Sequence, residues 1–207
     1  MRSATPGLLV VALLLGGCAT MSESECVTVD WQTIGFEDGV AGYSGNRIGQ
    51  HRKACAKHGV SPDLTGYQRG REAGLKEYCQ PANGFRVGSH GGSYAGVCPA
   101  ELDGAFASAY ESGRQLHSLE SRLSNARNQL VSKRRELERV EDTLVKKTAV
   151  IVGSESTGEE RAEALVDTKQ LAERVGRLKS EIRQLEHDQV EYERDLEDYR
   201  ARVAFIG

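Results

Sequence analysis

The strongest constraint on this 207-residue chain lies in its second half. Leu116, Leu119, Leu123, Ala126, Leu130, Lys133, Leu137, Val140 and Leu144 alternate steps of three and four without a break, and only Lys133 among them is polar. The same steps run through Thr168, Leu171, Val175, Leu178, Ile182, Leu185, Gln189, Tyr192, Leu196, Tyr199 and Val203. This spacing keeps an apolar seam on one side of an α-helix, and the Arg, Lys and Glu between the seam positions make the pattern that of a coiled coil. Gly153-Ser154-Glu155-Ser156-Thr157-Gly158 interrupts it once. Two comparable segments around one breaker predict an antiparallel helical hairpin over 101–205, with arms of about 50–60 Å at 1.5 Å per residue. Leu123, Leu130, Leu137, Val175, Ile182 and Leu196 are its seam, where each buried Leu or Ile stabilises by about 1.5–3 kcal/mol. Two other arrangements fit the pattern: separate helices packed on the first half, or one long helix that zips with a second copy.

The first half has another character. From Cys26 to Pro99 Gly and Cys recur, and beyond about Glu101 Gly and Pro nearly vanish. Gly35 and Gly39 stand four residues apart, as do Gly70 and Gly74, and Ala109 with Gly113 has a related look. A Gly inside a helix costs about 1 kcal/mol relative to Ala, so close helix approach must offset it. In a membrane such spacing would suggest helix dimerisation, but Asp, Glu, Arg and Lys crowd these segments. Two or three short, tightly packed helices are expected, with Trp31, Tyr67, Leu75 and Tyr78 in the core. Between Cys79 and Cys98, Asn83-Gly84 and Gly91-Gly92 are turn signals and predict a short β-hairpin or a glycine loop. The fold class expected is therefore mainly α: a small disulfide-stapled, Gly-rich domain over 26–100, then the coiled-coil hairpin. A net charge of -3 provides no basic excess for nucleic acid or an anionic lipid surface.

The N-terminus reads as a targeting segment. Arg2 precedes the apolar run Leu8-Leu9-Val10-Val11-Ala12-Leu13-Leu14-Leu15, which is shorter than the ~20 residues a membrane span needs. Leu15-Gly16-Gly17-Cys18 resembles the lipobox of bacterial lipoproteins. That resemblance implies a signal peptide over 1–17, a lipid on Cys18 and a polar tether over 18–25. Ala19, in place of Asp, implies the outer membrane facing the periplasm. Cys26, Cys55, Cys79 and Cys98 remain, and an even number in an exported chain predicts two disulfides. Three pairings are possible; Cys26–Cys55 with Cys79–Cys98 is favoured because the latter closes the Gly-rich segment.

Several residue groups bear on chemistry. His51, Cys55 and His58 would share one helix face at zinc-like spacing, against which stands the use of Cys55 in a disulfide. Asp30, Asp38 and His51 would form an acid/base cluster if the fold brought them together. The Gly-rich segment Ser89-His90-Gly91-Gly92-Ser93-Tyr94, with Arg86, has the backbone openness of a ligand lip. Ala149 to Glu160 imitates a strand and phosphate loop, but Glu159-Glu160 stands where a phosphate loop needs Lys. Lys133-Arg134-Arg135, followed by Glu136, reads as a solvated helix face.

Asp30-Trp31, Gly35, Asp38-Gly39, His51, Ala54-Cys55, His58-Gly59-Val60, Tyr67, Gly70, Gly74-Leu75, Tyr78-Cys79, Asn83-Gly84, Gly88, Tyr94 and Cys98-Pro99 together resemble small bacterial lipoproteins known only as a domain of unknown function, number twenty-seven ninety-nine. The resemblance covers most of 26–115 and implies an anchored envelope protein without any assigned activity. The expected function is structural: a non-enzymatic lipoprotein, without cofactor or metal, held to the membrane by its lipid and meeting an envelope protein through the coiled coil. The alternative is a periplasmic glycan-binding or hydrolytic module using the Gly-rich loop with His51 and Asp38.

Overall fold

A computed structural model describes residues 21–204. Seven α-helices follow one another among the described residues, and no strand occurs there: α1 (Glu23–Thr28), α2 (Trp31–Val40), α3 (Arg47–Cys55), α4 (Leu64–Tyr78), α5 (Pro81–Ser89), α6 (Ala100–Val152) and α7 (Gly158–Val203). None of them is long and apolar enough to cross a membrane. The chain divides into two compact units, one running to Cys79 and taking in Ala95–Pro99, the other made of Gln80–Tyr94 and everything from Ala100 onward. The signal peptide and Cys18 lie outside the described residues.

In the first unit α2 and α4 form a pair lined by glycine. Asp30 caps α2 by accepting from the Gln32 and Thr33 amides, and Asp63 caps α4 through those of Thr65 and Gly66. Both are preferred N-cap residues because the carboxylate satisfies amides that have no intrahelical partner. Between the helices the backbones nearly touch. A Cβ at Gly35 would lie 2.0 Å from the Tyr67 carbonyl oxygen, one at Gly39 2.4 Å from that of Arg71, and one at Gly70 1.8 Å from that of Gln32. Residue numbers rise together along the two helices, so they run parallel, and α3 with its 3₁₀ turn Ala56–His58 carries the chain back. At this separation Cα–H groups face carbonyl oxygens, a weak attraction of about 0.5–1 kcal/mol each. The disulfide Cys26–Cys55 sits in a cluster with Trp31 and Tyr67. Trp31, Tyr67, Leu75 and Tyr78 are all buried, as expected of them. The sequence 18–25 does not remain an extended tether throughout: Ser22 and Glu25 form a capping box that starts α1.

The second unit repeats the device and then extends it. Gly84 and Gly88 of α5 press on α6, where their Cβ positions lie 2.5 Å from the Phe106 carbonyl oxygen and 2.1 Å from that of Tyr110. Here the structure differs from the sequence reading. Asn83-Gly84 is no turn but the interior of α5, which Pro81 opens from its first turn, where a missing amide hydrogen is harmless. There is no β-hairpin between Cys79 and Cys98; a helix and a loop occupy the segment. The same contact explains why the unit boundary falls after Cys79 and not at residue 100: α5 belongs with α6.

Beyond α5, α6 pairs with α7. The helices are 53 and 46 residues long, about 80 and 70 Å at 1.5 Å per residue, longer than expected because both begin well ahead of the apolar repeat, α6 at Ala100 before Leu116 and α7 at Gly158 before Thr168. Leu119, Leu123, Ala126, Leu130, Val140, Leu178, Ile182, Leu196 and Tyr199 are buried along the seam. Glu120–Arg200, Arg127–Glu193, Arg134–Glu186 and Glu141–Lys179 bridge the helices at 2.6–2.7 Å. Numbers rise on one helix as they fall on the other, so this pair is antiparallel. Exposed bridges contribute about 0–1 kcal/mol each; their charge pattern marks the register. Lys133 meets Glu181 of α7 at 2.7 Å and Arg134 meets Glu186, while Arg134 and Arg135 stay exposed to solvent. The reversal spans Gly153–Thr157, and Thr157 starts α7 through a capping box with Glu160.

Candidate functional site

The one charged side chain buried among the described residues is Asp38, 6% exposed. Its position follows from the glycines: Gly39 lets α2 approach α4 so closely that the side chain beside it is enclosed. Asp38 Oδ2 accepts from the Tyr67 hydroxyl at 2.7 Å and from His51 Nε2 at 2.8 Å. Its Oδ1 faces Arg47 Nε at 3.8 Å. Because an ionised carboxylate only accepts, the proton between Asp38 and His51 sits on Nε2. Trp31 and Tyr67 flank the imidazole, with centroids 6.3 and 6.2 Å away, and the Arg47 guanidinium lies over the Tyr43 ring at 4.7 Å. Burial, then the hydrogen bond to Asp38, pushes the Tyr67 phenol above its ordinary value.

The residues singled out from sequence are redistributed by this geometry. Asp38 and His51 do meet, whereas Asp30 stays at the α2 cap, where the Thr33 hydroxyl and the Gln32 amide hold its carboxyl below the usual range. Cys55 is oxidised to Cys26 and provides no thiolate for zinc. His51 turns to Asp38, and His58 lies 3.8 Å from Glu23; the metal face His51, Cys55, His58 is not assembled. Cys79 pairs with Cys98. The Gly-rich segment Ser89–Tyr94 falls in the other compact unit, with Tyr94 donating to Asp103. Tyr67 and Arg47 are cluster members that sequence reasoning did not assign to a site.

Comparing the two glycine-lined pairs shows what the cluster does. Gly35, Phe36, Gly39 and Gly42 stand in α2 and its exit as Gly84, Phe85, Gly88 and Gly91 stand in α5 and its exit. Gly74 meets the Phe36 carbonyl oxygen as Gly113 meets that of Phe85. Gly42 and Gly91 have φ of 72° and 73°, a conformation only Gly adopts freely, and are covered by the rings of Tyr78 and His117 in turn. The chain therefore contains the same helix pair twice. In the second copy Val87 takes the place of Asp38 and Phe106 that of Tyr67. What the second copy lacks is α3. Asp38 and Tyr67 are thus dispensable for the pairing itself and hold α3, through His51 and Arg47, against the first pair.

This assigns a measurable cost. Asp38→Val leaves the Tyr67 hydroxyl and the His51 Nε2–H without their acceptor, which should destabilise the first unit by about 3 kcal/mol. Adding Tyr67→Phe, as in the second copy, should recover about 1 kcal/mol. Urea denaturation of the single and double variants checks the sign; a double variant less stable than the single one contradicts the equivalence. The raised Tyr67 pKa adds a pH dependence. Its folded value exceeds its unfolded one, so the contribution is complete below about pH 10 and is lost as pH rises from there toward the folded value. Tyr67→Phe should remove that alkaline component.

Residues 30–115 match the model of a family described as a protein of unknown function (DUF2799). The matched segment contains both glycine-lined pairs and ends inside α6, before most of the hairpin. No curated protein and no solved structure matches the chain.

Proposed function

We propose that this is a lipid-anchored protein of the bacterial envelope with a structural, protein-contacting role, in which the stapled region carries the helical arm. The observation behind this reading is the construction of α6 and α7. They bury one continuous seam against each other and, beyond the part of α6 that α5 covers, leave the remaining faces of two long rods to solvent. A surface of that form meets partners along its length instead of enclosing a substrate. The anchor is carried by the lipobox-like sequence ending in Cys18; one acyl chain binds a membrane marginally, and two or more hold it. Cys18→Ser should abolish incorporation of labelled palmitate and leave the precursor mislocalised. Label in the variant, or none in the wild type, refutes the anchor.

The contact between Asp38 and His51 favours a second reading, a glycan-binding or hydrolytic module. Sedimentation of the purified mature protein with cell-wall material tests it. Co-sedimentation without clearing supports binding, clearing supports hydrolysis, and neither removes this reading. The protein-contact role is read separately, by crosslinking in intact cells.

A further inference from the structure

We infer that the closed end of the hairpin is where the arm meets its partner, and that this partner is a protein presenting an apolar hollow rimmed by Lys and Arg. The inference rests on the interaction reading of the arm and adds where contact occurs and with what chemistry. Along the shaft, exposed apolar residues are isolated: Val131 on α6 and Val190 on α7. Near the closed end they are more frequent on both helices. Val152 is 79% exposed, Val145 68%, Leu165 62% and Val166 57%, all within a few turns of the reversal. Scattered surface apolar residues need no explanation, but a concentration of them with a charged rim marks an interaction surface.

The charge of that rim selects the partner. From Ala149 to Asp167 the acids are Glu155, Glu159, Glu160, Glu163 and Asp167, against the single base Arg161. Three of the cations nearby are engaged: Lys147 with Asp167 at 2.7 Å, Lys146 with Asp142 at 2.6 Å, and Arg161 with the Gly153 carbonyl at 2.8 Å. Lys169 lies exposed just past Asp167, and the acids still outnumber the bases. Glu160 closes the α7 cap with Thr157. No ion pair among the described residues engages Glu155, Glu159 or Glu163. Glu155 and Glu163 line one shallow hollow together with Glu160, Val150, Ala164 and Lys147, three carboxylates against one ammonium, which leaves acid in excess for a Lys or Arg side chain of a partner. Two such tips would repel each other, and so would a tip and an anionic lipid surface. A basic-rimmed protein patch is the complementary surface.

The test places a photoreactive amino acid singly at Val152, Leu165 or Val166, at Val131 or Val190 on the shaft, and at Phe36 or Val40 of the first unit, in the full-length protein in intact cells. The expected result is crosslinking from the tip positions to one protein, with the crosslinked peptide mapped to an apolar surface flanked by Lys or Arg. With that protein purified, replacing Glu155, Glu159 and Glu163 together by Gln should weaken binding about tenfold at low salt and flatten its salt dependence. Helicity should not change. Crosslinks from the shaft alone overturn the tip inference and leave the arm as an interaction surface. Crosslinks from Phe36 or Val40 alone, or from no position, overturn both. Tip crosslinks to lipid or a second copy, or wild-type affinity in the triple variant, overturn the partner chemistry.

Discussion

Gly70→Ala should destabilise the first unit by about 3 kcal/mol, and by more if the helices cannot separate. The added methyl would lie 1.8 Å from the Gln32 carbonyl oxygen and 2.9 Å from the Phe36 amide nitrogen. Both obstacles are backbone, so no side chain can rotate aside; α2 and α4 must move apart and forfeit contact along their whole length. Helix propensity pulls the other way by about 1 kcal/mol, too little to decide the outcome. Gly104 in α6 and Gly176 in α7 have nothing within 4 Å of a Cβ, and there Ala should stabilise by about 0.5–1 kcal/mol. One substitution thus has opposite signs at positions equally helical. Trp31 is the chain's sole tryptophan and lies in the first unit, so its fluorescence follows that unit in urea while circular dichroism is dominated by α6 and α7. An unchanged Trp31 transition in Gly70→Ala contradicts the close approach described above.

Removing the Cys26–Cys55 disulfide is the second large effect. It closes a separation of 29 residues, and the loop-entropy relation assigns about 3.5 kcal/mol to that constraint. Cys79–Cys98 spans 19 residues and receives about 3 kcal/mol on the same basis. The first loss should exceed its entropic value, because Cys26 and Cys55 are 1% and 0% exposed and Ser in their place buries two hydroxyls among Trp31 and Tyr67. Cys26→Ser with Cys55→Ser should shift the Trp31 transition to lower urea and leave the loss of arm helicity where it is. A shift smaller than that from removing Cys79–Cys98 contradicts this ordering.

How much of this was legible depends on whether the signal was a period or a contact. The hairpin was readable because a repeat of three and four positions persists over many turns and a single Gly-rich break divides it. Gly35–Gly39 and Gly70–Gly74 were readable as close-packed helices because helical Gly needs compensation. Gly84–Gly88 has the same spacing, yet Asn83-Gly84 also matches a turn dipeptide, and that local signal competes with Pro81 three residues earlier, which marks a helix start. Cluster membership was less legible. Tyr67 was visible as core, but its bond to Asp38 arises from a parallel pairing that no local pattern specifies. Lining up Gly35, Phe36 and Gly39 with Gly84, Phe85 and Gly88 would have exposed the repeat, and with it the exchange of Asp38 for Val87.

The placement of the two disulfides has a mechanical consequence. Each joins the chain ahead of the first helix of a glycine-lined pair to the chain ahead of the second: Cys26 and Cys55 bracket α2, and Cys79 and Cys98 bracket α5. Tension applied between the N-terminus and the arm would therefore run from Cys26 across to Cys55, along α4, from Cys79 across to Cys98 and into α6. Neither α2 nor α5 lies on that covalent path, so a pull loads the second helix of each pair while its parallel mate rides in a slack loop. Under reducing conditions both loops would join the path, and the same pull would begin to draw the paired helices apart.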